Sequence, residues 1–286
     1  MFLRRSALKG LGLLGIIVLS TSAASQQQAV PAAAQDEKEN DRAIIADDFL
    51  KNRPGPKLGR KKPPATYRLT TLATKRSDQP KLQVGVTIWR LEPGSRGSSR
   101  ADWIPRRVEA DVEFREGDTL RISIESPRDG YLYVVNRDFL ADGTYGETNL
   151  IFPMQGDNNR LKAGKLIDIP AQDNPPFKAT PKPDQSSELL TIIVTSSPLS
   201  LPLSNRPIAI SKTQLTAWEE RWRAEADRLE MNGGAGQPRT QKEQLAASPT
   251  GTRQLTREDP MPQTIYSLVP KNTDGLLFNI VLSYIR

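Results

Sequence analysis

The chain has 286 residues, no Cys, no His and a formal net charge of +7. Without His there is no Ser-His-Asp triad or imidazole base, and without Cys or His the usual zinc, copper, haem and iron-sulfur ligands are missing, as are disulfides and a lipidated Cys. The charge is not a nucleic-acid footprint, because much of it sits in Arg4, Arg5 and Lys9 and in one tract of six bases without an acid (Lys51, Arg53, Lys57, Arg60, Lys61, Lys62).

Residues 1–24 read as a signal peptide: basic Arg4, Arg5 and Lys9, an apolar run from Leu11 to Leu19, then Thr21-Ser22-Ala23-Ala24. Cleavage is expected near Ala24, with export by the general secretory or the twin-arginine route to the periplasm or beyond. The apolar run is shorter than the ~20 residues of a membrane-spanning helix. Gly10-Leu-Gly-Leu-Leu-Gly15 imitates a dinucleotide fingerprint and Ser6-Ala-Leu-Lys9 an acyl-enzyme motif, but both fall inside the leader.

Residues 25–65 are expected to be a disordered linker, first acidic, then basic and Pro-rich, with a short helix at Asp41 to Leu50 whose apolar face is Ile44, Ile45, Phe49 and Leu50. The basic tract Lys51, Arg53, Lys57, Arg60, Lys61 and Lys62 fits electrostatic contact with an anionic lipid, an envelope polymer or an acidic protein. The plainer alternative is a solvated linker.

Residues 66–286 read as one β-sandwich domain. Val84, Val86, Ile88 and Leu91 alternate with the opposite face that carries Trp89; Val108 to Phe114 is a weaker strand. Leu120, Ile122 and Ile124 alternate with Arg121, Ser123 and Glu125, and Ser126-Pro-Arg-Asp-Gly130 then turns the chain into Tyr131 to Val135, a predicted hairpin. After the connection Asn136 to Asn149 come short strands at Leu150 to Phe152 and Leu166 to Ile169, then the doubly apolar run Leu189 to Val194. The spacing predicts one packed amphipathic helix over residues 211–231, with Ser211 and Gln214 as a capping box and Gly233-Gly234 as its end. Trp218 and Trp222 on that helix read as packing rather than a ligand platform. The loop Gly233 to Gln263 is long enough to be mobile or functional, and Ile265 to Val269 and Leu276 to Ile285 close the chain as strands.

Only weak chemical constellations remain. The region Asp138 to Asp157 holds the oxygen ligands calcium favours but lacks EF-hand spacing, and its Asp-Gly and Gly-Asp-Asn steps are ordinary turn chemistry. Asp142, Glu147 and Asp157 are the first candidates for a glycosidase-type carboxylate pair.

The run Phe114 to Asp138, with Leu150-Ile-Phe-Pro153, Gly156-Asp-Asn-Asn-Arg160 and Leu189-Leu-Thr-Ile-Ile-Val194, resembles a bacterial family known as domain of unknown function 4384. The resemblance extends to Val84-Gly-Val-Thr-Ile-Trp89 and to the tail from Trp218 through Gly233-Gly-Ala-Gly236 and Gln263-Thr-Ile-Tyr266, as in stand-alone secreted members. It implies no catalytic residues, cofactor or metal. Attachment of such domains elsewhere to kinase or caspase-like modules implies a sensing or protein-binding role. The expected fold is mainly β, an antiparallel immunoglobulin-like sandwich with one packed helix. The expected role is an exported, non-enzymatic binding or accessory module for a protein or envelope polymer, without nucleic acid. A His-independent polysaccharide hydrolase and a structural envelope subunit are the alternatives.

Overall fold

The computed structural model describes residues 43–55, 69–71, 81–94 and 103–285. The leader with its cleavage site near Ala24, and the bases Lys57, Arg60, Lys61 and Lys62, lie outside the described residues. The described residues start with a helix over 43–51 (α1) and strands Leu69–Thr71 (β1), Leu82–Glu92 (β2), Ile104–Val108 (β3), Glu113–Phe114 (β4) and Thr119–Glu125 (β5). It continues with Gly130–Leu140 (β6), Tyr145–Phe152 (β7), Arg160–Leu161 (β8), Leu166–Ile169 (β9), Phe177–Lys178 (β10), Gln185–Thr195 (β11) and Ile208–Ala209 (β12). Helix Lys212–Trp222 (α2), strand Glu225–Met231 (β13), helix Gln241–Ala246 (α3) and strands Thr264–Val269 (β14) and Gly275–Tyr284 (β15) complete it.

These strands form two sheets. The first runs β1-β13-β14-β2-β5-β10, with β3 added on β2 and β9 on β5. The second runs β12-β7-β6-β11-β15-β4, with β8 added on β6. Pairing is antiparallel except between β15 and β4. The period-two pattern decides what lies between the sheets: Val84, Val86, Ile88, Ile122 and Ile124 from the first meet Leu132, Val134, Leu190, Ile192, Phe278 and Ile280 from the second in one buried cluster. The run Leu189 to Val194 lies in β11, hydrogen-bonded to β6 on one side and β15 on the other. Ile193 on its outer face packs with Leu215 and Trp222 of α2, so the mostly β sandwich with a packed helix is observed.

Several expectations are corrected. The predicted hairpin of Leu120 to Glu125 with Tyr131 to Val135 is not one: β5 pairs β2 and β9 in the first sheet, while β6 pairs β11 and β7 in the second. The turn chemistry is right, since Ser126 Oγ bonds the Arg128 backbone. Both strands aim their apolar faces into the same core, and burying both is met by crossing from one sheet to the other. The hairpin partner of β6 is β7, with Gly143 at φ 83° in the turn, inside what read as the connection Asn136 to Asn149. Val108 to Phe114 is likewise divided between β3 in the first sheet and β4 in the second.

The helix expected over 211–231 ends at Trp222. Ser211 caps it as expected, accepting from the Gln214 N–H. Residues 225–231 are good helix formers, but Leu229 and Met231 are buried two apart and β13 pairs β14 from Glu225–Val269 to Glu230–Thr264. The loop Gly233 to Gln263 contains α3, whose capping box joins Thr240 and Glu243. Within the predicted disordered linker 25–65, residues 43–55 form α1 and its continuation, with Phe49 buried beside Leu229, Met231 and Ile265 on the outer face of the first sheet.

Candidate functional site

The outer face of the first sheet is polar by sequence pattern, because inward Ile122 and Ile124 leave Arg121, Ser123 and Glu125 pointing outward. The structure covers that face rather than leaving it in water. Trp89 is fully buried and donates from Nε1 to Ser123 Oγ at 2.7 Å, which donates to Asp168 Oδ1 at 2.6 Å. Arg239 grips Asp168 through both terminal nitrogens, at 2.8 and 3.0 Å. Arg107 is buried against Glu243 and donates to the Met261 carbonyl. The guanidiniums of Arg107 and Arg239 each lie 5.3 Å from the Trp89 ring centre. This layer clamps residues 237–261 onto the sheet.

The clamped segment forms one wall of a groove of about 620 Å³ at the end of the sandwich where β5 crosses to β6. The other walls are the β7–β8 connection, the β8–β9 turn and the β9–β10 connection, contributing Gln155, Asp157, Arg160, Lys162, Lys165 and Asn174. Lys162 and Lys165 are the first and last residues of a β-turn closed by the Lys165 N–H on the Lys162 carbonyl at 2.9 Å. Gly164 in this turn has φ 74°, and its carbonyl accepts from the Leu255 N–H at 2.6 Å. A Cβ there would strike the Leu255 carbonyl oxygen and come within 2.9 Å of Pro54 Cδ. Gly164→Ala is therefore expected to cost on the order of 2 kcal/mol in a denaturant titration, from the left-handed backbone and the overlap together. An unchanged midpoint would show that the turn is not held as described.

Lys165 Nζ donates to the Gly251 carbonyl across the groove. Its pKa is lowered, first by burial and then by the neighbouring charge of Lys162. Asp157 is engaged in its own turn, Oδ2 accepting from the Met154 N–H at 2.9 Å. A second, smaller pocket of about 370 Å³ lies over Arg107 and Glu243, lined by Met231, Pro238, Pro260 and Met261.

Residues 113–198 match the family described as domain of unknown function (DUF4384). This stretch of the chain is a DUF4384 domain. No curated protein and no solved structure matches the chain. The DUF4384 stretch runs from β4 through β11 and supplies three groove walls; the fourth, around Ser248 and Gly251, comes from the chain that follows. Strands from outside the stretch, β2 in one sheet and β15 in the other, complete the sandwich around it.

The carboxylates considered as an acid-base pair are not gathered in the DUF4384 domain. Asp142 sits in the β6–β7 turn and Asp157 beyond the far end of the eight-residue strand β7, a separation of over 20 Å at the rise of a strand. A glycosidase pair needs roughly 5–9.5 Å. Asp142 is exposed and its pKa is lowered because the Thr144 hydroxyl and N–H donate to it, the wrong direction for a general acid. Glu147 is exposed on β7. Asp138, the first candidate calcium ligand, pairs with Lys182 at 2.6 Å, and among the described residues no group of three or more acids could hold a metal ion.

Trp218 and Trp222 stack with ring centres 6.5 Å apart against the outer face of the second sheet, and Trp222 is buried. Of the six bases read as an electrostatic contact, Arg53 is removed by the structure: it is fully buried and paired with Glu125. Lys51 is exposed and pairs with Asp47 and Asp48 of its own helix. Sequence reading missed the grouping of Arg160, Lys162 and Lys165. The available signal was Lys162-Ala-Gly-Lys165, a Gly-containing turn with a base at each end, one residue beyond the family-like run ending at Arg160. Among the described residues no helix is long and apolar enough to cross a membrane.

Proposed function

We propose that the chain is an exported binding or accessory module that recognises a macromolecular partner, protein or envelope polymer, through the groove at the β5–β6 end of its sandwich. The observation that carries this reading is the groove itself: an open cleft of about 620 Å³ whose walls are connections fixed by a rigid scaffold. The segments that carry the walls tie to each other, with Gln172 Nε2 on the Gln244 carbonyl at 2.9 Å and Gln254 Nε2 on the Ala163 carbonyl at 3.2 Å. Such bracing preserves the shape of a recognition surface without assembling reacting groups. Export rests on the leader sequence 1–24. The bases Lys57, Arg60, Lys61 and Lys62 follow the docked Pro54 in sequence and add a proposed envelope contact.

The test uses residues 25–286 as bait against native envelope extract, beside the same chain carrying Gln155→Trp and Asn174→Trp, two exposed groove positions. A partner held by the first bait and released by the second, with equal melting temperatures, is the expected result. Equal retention by both would move recognition away from the groove, and a bare bait would remove the binding reading.

A further inference from the structure

The groove carries a charge pattern that narrows its ligand. Three bases line it: Arg160, Lys162 and Lys165. None of the three takes part in an ion pair among the described residues, although most arginines elsewhere on the first sheet's outer face do. Three acids also line it, but they do not cancel the bases equally. Asp168 is consumed by Arg239 and Ser123. Asp173 lies within electrostatic reach of Arg121, whose Nη2 is fixed on the Asn174 carbonyl at 2.9 Å. Asp157 holds its own turn. With Asp168 matched by Arg239, the lining keeps Arg160, Lys162 and Lys165 against Asp157 and Asp173, a small cationic excess.

The placement of these bases is built rather than incidental. Arg160 precedes Lys162 by two residues, about 7 Å along an extended chain. The Gly164 turn then folds the chain back so that Lys165 stands beside Lys162 at the open end of the turn, locked by Leu255 and packed on Pro54. The Lys165 ammonium is drawn partly out of water toward the Gly251 carbonyl, beside a like charge. Two neighbouring ammonium groups, one of them partly desolvated, are an arrangement that an incoming anion relieves. One phosphate or carboxylate meets Lys162 and Lys165 together, and a second anion along the same chain reaches Arg160 as well.

We infer that the groove binds a linear polyanion through Arg160, Lys162 and Lys165, an envelope polymer bearing repeated phosphate or carboxylate groups. This inference rests on the binding role proposed above and assigns the chemistry of its ligand. Gln155, Asn158 and Ser248 on the same walls supply the neutral hydrogen-bonding groups that sugar or polyol units between the anions would meet.

The test must separate the groove from the basic tract, so the reference protein is residues 25–286 with Lys57, Arg60, Lys61 and Lys62 changed to Gln. Binding is measured by titration calorimetry with long-chain inorganic polyphosphate in one arm and polygalacturonate of matched length in the other. The expected result is binding in at least one arm, weakened about tenfold or more between 0.05 and 0.5 M salt as screening predicts. Lys162→Gln with Lys165→Gln is expected to weaken it by about tenfold or more again, with an unchanged melting temperature. The arm that binds identifies the anion. Arg160→Gln is an independent check, because it leaves the Gly164 turn untouched.

Affinity that survives both the double change and Arg160→Gln overturns the inference, as does absence of binding in both arms at low salt. The two readings fail differently. If neither polyanion binds yet Gln155→Trp with Asn174→Trp still releases a captured partner, the polyanion assignment falls and the binding role stands. If that blocked groove keeps its partner, both fall.

Discussion

A chain ending at Pro270 is expected to show no cooperative thermal transition. The deletion removes β15, whose residues Leu276, Leu277, Phe278, Ile280, Leu282 and Tyr284 are all buried. At about 1.5–3 kcal/mol for each large apolar side chain, the loss is on the order of 10 kcal/mol, comparable with the whole stability of a domain, about 5–15 kcal/mol. It also strips one full ladder from β11, nine residue pairs from Ser187–Ser283 to Thr195–Gly275, and removes the partner of β4. Helix α2 loses its seat as well, since Ala224 N–H bonds the Leu277 carbonyl at 2.8 Å and Trp222 Nε1 bonds Asp274. Circular dichroism through a temperature ramp reads the outcome. A sigmoidal melt close to that of the longer chain would mean that β15 is not a central strand. A milder version, Phe278→Ala, should retain a transition displaced by about 3–5 kcal/mol.

That expectation was available from the sequence because β15 states its pattern locally: Phe278, Ile280, Leu282 and Tyr284 repeat every second residue. The same holds for β2 and for the doubly apolar β11. Legibility failed where the deciding contact is distant. Nothing between Leu120 and Val135 distinguishes a hairpin from a crossing between sheets, since the turn residues suit both; the choice is made by Thr87 and Ile88 pairing with β5, some 35 residues earlier. Residues 225–231 favoured helix by composition, and only the burial of Leu229 and Met231 two apart betrays a strand. The cover over the polar outer face of the first sheet has no local signal, because Ser123, Glu125 and Asp168 are ordinary surface residue types. Their partners Arg53, Trp89 and Arg239 come from three separate regions of the chain. For the groove, the turn residues were visible and the wall from residues 247–251 was not, because it is carried there by Arg107 and Arg239 acting on Glu243 and Asp168.

Replacing Arg53 by Met is expected to destabilise the protein by about 3–5 kcal/mol, the cost of leaving a buried charge without its partner. Arg53 Nε and Nη2 meet the two oxygens of Glu125 at 2.7 Å each, a bidentate pair in which both side chains are essentially fully buried. Its remaining donors are used by the carbonyls of Thr256, Asp259 and Pro260, at 3.2, 2.9 and 2.9 Å. The residue thus fastens three things together: α1, the outer face of β5, and the segment that leads into β14. Met fills similar volume, so the change tests the charge and the hydrogen bonds rather than a cavity. For a domain of this size the loss lowers the melting temperature by roughly 10 °C.

The control is the double change Arg53→Met with Glu125→Leu. Removing both charges should recover part of the loss, giving a coupling energy of about 2 kcal/mol, while the three carbonyls stay unpaired and hold recovery below the original stability. Arg53→Met within 1 kcal/mol of the parent, or a double change that is simply additive, would show that the pair is not buried as described. A chain that begins at Ala65 lacks Arg53 as well and should show at least the loss of Arg53→Met. Its failure to hold a partner would then report a weakened domain as readily as a missing basic tract, so Lys57, Arg60, Lys61 and Lys62 are best tested by substitution with residues 43–55 in place.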